Sequence, residues 1–243
     1  QAKPKDNSSA HRALMAGIKA FKKKKRSPFD AMVTFAVFGG EELADGQALD
    51  KEFERSISPR RKTFGMGRAK TKARPRIVSA PVNDQLPLNL ESIAQAAGPL
   101  ESKVRGATHV AFVRYTGRPL PNGRHLKMAA TAVRDIARGD QVIMDLSTRR
   151  AYTPESWAAW IDSKDWIAEQ VQPAAERSGD KVTLYTRGMA KFGQPDLEAF
   201  ALSAEAARSY FPVFQKVLAA IRDRQKTQRG DIVEGIALTK CQR

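Results

Sequence analysis

Five side chains in the second half of the chain have the types and spacing of an anion-handling site. Asp145, Ser147 and Arg149 close an apolar stretch (VIMDLSTRR), and Arg187 and Lys191 close another (KVTLYTRGMAK). A carboxylate beside guanidinium groups and a hydroxyl can orient an acidic ligand where a strand ends, the usual place for sites in α/β sheets. The same residues also fit a surface ion pair, so no catalytic residue is assigned. A second group is purely cationic: Lys22, Lys23, Lys24, Lys25 and Arg26, followed by Arg60, Arg61 and Lys62. Such clusters neutralise phosphates, and the binding they give weakens steeply with salt. Phe21 and Phe64 are the aromatic residues beside them, which is poor material for base stacking.

Other chemistries find little purchase. The three histidines, His11, His109 and His125, form no short-spaced pair and no H-E-x-x-H motif. A single cysteine, Cys241, excludes an intrachain disulfide and any cysteine-based metal cluster. There is no phosphate-cradling G-x-x-x-x-G-K-[ST] loop, and Gly65-Met66-Gly67 lacks the preceding strand and third glycine of a dinucleotide fingerprint. No G-x-S-x-G elbow is present. The expectation is that the chain holds no metal and no cofactor.

These residues sit in a 243-residue chain of net charge +16, unevenly spread. Residues 1–76 hold 19 Lys/Arg against 8 Asp/Glu, a net of +11, whereas residues 77–243 hold 23 against 18, a net of +5. The charge divides the chain into a basic N-terminal extension, 1–76, and an α+β body, 77–243. On that division, removing residues 1–76 would leave the body folded. An apolar fraction of 42% supports a real core, and no apolar run reaches the ~20 residues of a spanning helix.

The elements that must position the candidates centre on residues 107–148. An apolar strand (ATHVAFVRY), a turn, an amphipathic helix with Leu126, Ala129, Ala130, Val133, Ile136 and Ala137 on one stripe, and a second apolar strand (QVIMDLST) make a β-α-β unit. Both strands are apolar on both faces, the mark of a sheet interior. Upstream, the pattern predicts a helix over 10–24, a strand over 31–38, a short helix within 41–55, a basic linker over 56–76, a strand over 76–81 and a helix over 88–97. Downstream, Thr153, Pro154 and Ser156 open a helix. Residues 181–187 and 196–202 form a hairpin. A long helix follows from Ser203, interrupted at Pro212, and a strand over 231–238 ends the chain. The order implies a ferredoxin-like (split β-α-β) mixed sheet with helices packed on it.

The block THVAFVRYTG…VIMDLSTRRAYTPESW…VTLYTRGMAKFGQPDLEAF, within 107–225, resembles uncharacterised bacterial proteins that carry domains of unknown function. In those, a strand-helix-strand ends near D-S/T and a G-M-x-x-F-G-x-P-E/D-L segment leads into a hairpin. The matching residues are Asp145, Ser147, Gly188, Met189, Phe192, Gly193, Pro195, Asp196 and Leu197. The resemblance implies a fold and carries no activity.

The functional expectation is a non-enzymatic binding protein whose basic N-terminal region contacts an anionic partner: nucleic acid, anionic lipid or an acidic protein surface. One alternative is a hydrolase or transferase acting on an anionic substrate at the Asp145/Arg149 strand end. The other is an exported structural or interaction protein, on the expectation that a leader was removed just before Gln1, ahead of the polar start QAKPKDNSS. Without such a leader the expectation is a cytoplasmic protein.

Overall fold

The computed structural model describes residues 30–60, 74–83, 86, 88–164, 166 and 168–212. The helix expected over 10–24, the cluster Lys22–Arg26, the cations Arg61 and Lys62, and the strand expected over 231–238 lie outside them.

Strand β1, Ala31–Gly39, is the centre of the main sheet. Its sequence, AMVTFAVFG, is apolar on both faces, and it is hydrogen-bonded on both edges. On one side it pairs antiparallel with β3, His109–Gly117, along all nine residues, from Ala31 opposite Gly117 to Gly39 opposite His109. On the other side it pairs antiparallel with β4, Val142–Asp145. β2, Arg76–Pro81, lies outside β3, and β5, Arg150–Tyr152, lies outside β4, giving the order β2-β3-β1-β4-β5.

β3 and β4 run parallel as expected, since each is antiparallel to β1, and β1 lies between them. Two expectations change here. Every hydrogen-bonded pair in both sheets is antiparallel, so the sheets are not mixed. The strand over 31–38, assigned to the N-terminal extension, belongs to the body's core. A boundary after residue 76 would strip both partners of β1 and cut β2 after its first residue.

Alternation along the strands directs the packing. Val33, Phe35 and Val37 face one layer of helices: α1, Gly46–Arg60, through Phe53; α4, Arg124–Ile136, through Leu126, Ala129, Ala130 and Val133; and α5, Pro154–Asp162, through Trp157, Trp160 and Ile161. Ala36 and Phe38 face the other way, with Val110, Val142 and Met144, beneath α2, Leu90–Ala96, and α3, Glu101–Arg105. α5 opens with the expected cap. Thr153 Oγ1 accepts from Ser156 N at 3.2 Å, and Ser156 Oγ accepts from Thr153 N at 2.9 Å. The Trp157 indole is fully buried, donates to Ala130 O at 3.0 Å and meets the Phe35 ring edge-on at 5.0 Å.

A second sheet, β6-β7-β8, follows: Gln172–Ser178, Lys181–Arg187 and Glu198–Ser203. β7 and β8 are the expected hairpin partners, and the helix after Ser203 runs over 204–212 within the described residues. β6, β5 and α3 carry no periodic signal in the sequence. Residues 175–178 of β6 are exposed, so burial never selected an alternating pattern there.

Because β1 bridges β3 and β4, residues 77–243 alone are expected to lack a cooperative thermal transition by circular dichroism. A sharp, reversible melt of that fragment would contradict the assignment of β1 to the core.

Candidate functional site

The candidate site lies where β4 ends. Asp145 points into the helix-covered layer, and the chain turns at once through residues 146–149 into β5, with Arg149 N donating to Asp145 O at 2.7 Å. The Asp145 carboxylate makes that turn: its Oδ1 accepts from Ser147 N at 3.0 Å and from Thr148 N at 3.3 Å, the local bonding for which aspartate is favoured at turns. Its Oδ2 accepts from the ammonium of Lys191.

Lys191 arrives from a different direction. After β7 the chain makes a short 3₁₀ turn, Met189–Phe192, bounded by Gly188 at φ 104° and Gly193 at φ 63°. Both conformations favour glycine. At Gly188 a Cβ would also run into the carbonyl oxygen of Gln170. Met189 and Phe192 sink into the main core, and this drags Lys191 inside with them. Its Nζ donates to Asp145 Oδ2, to Gln170 Oε1 at 3.0 Å and to Gln170 O at 3.2 Å. An ammonium has three donors, and all three are used. The Phe35 ring centroid lies 5.6 Å from the same nitrogen. Lys191 is 0% exposed and Asp145 1%. Burial pushes the Lys191 amine below its ordinary value, and the adjacent carboxylate opposes that shift.

The backbone of Lys191 is held as firmly. Its carbonyl oxygen accepts from Nε2 of His125 at 2.7 Å, while Nδ1 of the same ring accepts from Leu120 N at 3.1 Å. A backbone N–H donates, so Nδ1 is the acceptor, and Nε2 carries the proton: a neutral imidazole. Burial lowers its pKa and favours the same state. His125 therefore ties the first turn of α4 to the 189–192 turn.

Of the five residues proposed for a pocket, the structure brings Asp145 and Lys191 into direct contact, and Ser147 joins through its backbone. Arg149 is exposed, with φ 59° in the turn. Arg187 donates to Tyr185 Oη at 2.6 Å and lies over its ring at 5.0 Å. The pair is buried, and each hydrogen bond it makes goes to a protein atom. Arg60 closes α1, and the other candidate anion-binding residues lie outside the described residues. Among the described residues no group of three His, Cys, Asp or Glu could hold a metal ion. His109 is near Thr108 Oγ1 at 3.2 Å and makes no metal-like cluster.

Gln170, His125 and Phe35 complete the arrangement and were not singled out by the sequence reading. The resembling segment does have a physical meaning here. Asp196 Oδ1 accepts from Met189 N at 3.0 Å and from Thr186 Oγ1 at 3.1 Å, and Leu197 exchanges bonds with Thr186, so the motif builds the turn that delivers Lys191. Compared with family models, curated proteins and solved structures, the chain matches none.

A buried pair of this kind is costly to break by halves. Asp145→Asn leaves the ammonium with Gln170 alone and is expected to cost about 3–5 kcal/mol in urea unfolding. Lys191→Met costs less, because Asp145 keeps two backbone donors, and the double variant costs less than the sum of the singles. Arg149→Ala is expected to stay within about 0.5 kcal/mol. Additive single-variant losses would show that the two groups do not act as a pair.

Proposed function

We propose that this chain is a non-catalytic binding protein whose basic N-terminal region contacts an anionic partner. The observation that carries the reading is the charge distribution, +11 over residues 1–76 against +5 over residues 77–243. Lys22–Arg26 and Arg60–Lys62 are its densest parts. The burial of Asp145 against Lys191 supports this reading over the hydrolase or transferase alternative, since a substrate would have to displace a fully bonded ammonium to reach the carboxylate. No helix among the described residues is long and apolar enough to cross a membrane.

We also propose a ferredoxin-like plan for the first four strands, with the strand order and directions as support. β1-α1-β2 and β3-α4-β4 are two split β-α-β units, each with a strand of the other between its own, and α1 and α4 pack on one face. In that reading β5, the β6-β7-β8 sheet and α2/α3 are additions. The kinship of 107–225 with proteins carrying domains of unknown function is proposed on the same footing, from the motif residues.

The test is retention on an immobilised polyanion such as heparin across a salt series. Replacing Lys22, Lys23, Lys24, Lys25 and Arg26 by glutamine is expected to weaken binding and flatten the log–log salt slope by up to about 4, near one counterion per lost contact. An unchanged slope would sink the reading, as would a parent chain that is not retained at all.

A further inference from the structure

Asp145 and Lys191 are a carboxyl group and an amine, 46 residues apart in the chain, held against each other out of water. The nearby charges are engaged elsewhere. Arg150, the cross-strand neighbour of Asp145, is 42% exposed and reaches Glu169 at 3.2 Å. Asp196 bonds Met189 N and Thr186 Oγ1. The pair is left with neutral amide groups and, on one side, the ring of Phe35.

Three features suit this arrangement to bond formation. Two backbone donors, Ser147 N and Thr148 N, converge on Asp145 Oδ1, the arrangement that stabilises charge on an acyl oxygen when a nucleophile adds. The other oxygen, Oδ2, is the one in contact with Lys191 Nζ, so nucleophile and acyl group are held together by the fold, which replaces a chance encounter by an effective concentration of about 10⁵ M or more. In water a carboxylate and an ammonium are favoured over an amide because both ions are strongly hydrated. Here that hydration is gone, and burial favours the neutral amine.

We propose that Asp145 and Lys191 condense in the folded chain to an isopeptide bond, Lys191 Nζ to Asp145 Cγ, with loss of one water. The ion pair described above is the state from which the bond forms. The ammonium passes one proton along its hydrogen bond to Oδ2, leaving a neutral amine beside a neutral acid. The Nζ lone pair attacks Cγ, and the carbonyl electron pair moves onto Oδ1, where the two backbone amides receive it. A second Nζ proton passes to Oδ2, the Cγ–Oδ2 bond breaks, and water leaves as the carbonyl re-forms. The N–H that remains keeps a Gln170 oxygen as its acceptor. No further reactant is needed. The product ties the end of β4 to the 189–192 turn, so the joint between the two sheets becomes covalent.

The test is mass spectrometry of the full chain after prolonged incubation in its folded state. The denatured chain is expected to be lighter than its sequence by one water, about 18 Da. A tryptic digest is expected to contain residues 188–208 uncleaved at Lys191 and joined to residues 139–149, as a branched peptide whose fragments place the link on Asp145 and Lys191. That peptide separates the proposed bond from cyclisation of Gln1, which loses ammonia, and from a succinimide at Asp45-Gly46, which also loses water. Asp145→Ala and Lys191→Met each remove one reactant, and both are expected to keep the full mass of their sequences and to yield no branched peptide. The parent chain decides the question whether or not those variants fold. A parent at full mass, with tryptic cleavage after Lys191, overturns the proposal and leaves the ion pair. So does a water loss that maps to Asp45-Gly46 or to any other pair.

Discussion

Burying an ammonium group is among the most expensive things a fold can do, and Lys191 is buried completely. The cost is offset only if every donor finds an acceptor and a carboxylate neutralises the charge. That requirement fixes three separate pieces of chain at once. The end of β4 must present Asp145, the 168–170 turn must present both oxygens of Gln170, and the 188–193 turn must put Lys191 between them. His125 then locks the same turn to α4 through the Lys191 carbonyl. The small sheet is joined to the large one by this network and by Met189 and Phe192, which carry the apolar part of the contact.

The glycines follow from the same constraint. Gly188 must pass against the Gln170 carbonyl in a left-handed conformation, so no residue with a Cβ fits without moving the acceptor that Lys191 needs. Asp196 supports the turn from behind by satisfying Met189 N. A charged residue that looks like site chemistry in the sequence is here a device for positioning one sheet on another.

The sequence reveals local elements well and their partners poorly. The stripe of α4, the cap at Thr153 and the alternation of β7 are short-range patterns, and each appears in place. The nearness of Asp145 and Lys191 was also readable, as two charges closing apolar stretches. Their burial was not, because burial depends on Met189, Phe192 and Phe35 closing around them, contacts between residues far apart in the chain. β1 shows the same limit. Its two apolar faces mark a sheet interior, yet its neighbours in sequence are basic, and charge placed it in an extension. The pairing with β3 and β4, at least 70 residues onward, leaves no local trace.

The central claim is that the Lys191 network makes the two sheets one cooperative unit. Native-state hydrogen exchange tests it most directly, read at the Lys191 and Gly193 amides, which bond to Gly188 O and Ala190 O, and at the paired amides of β1. A single opening free energy for all of them, equal to that of global unfolding, is the predicted result. Exchange of the 188–193 turn and β7 through a lower-energy opening, with β1 still protected, would contradict it.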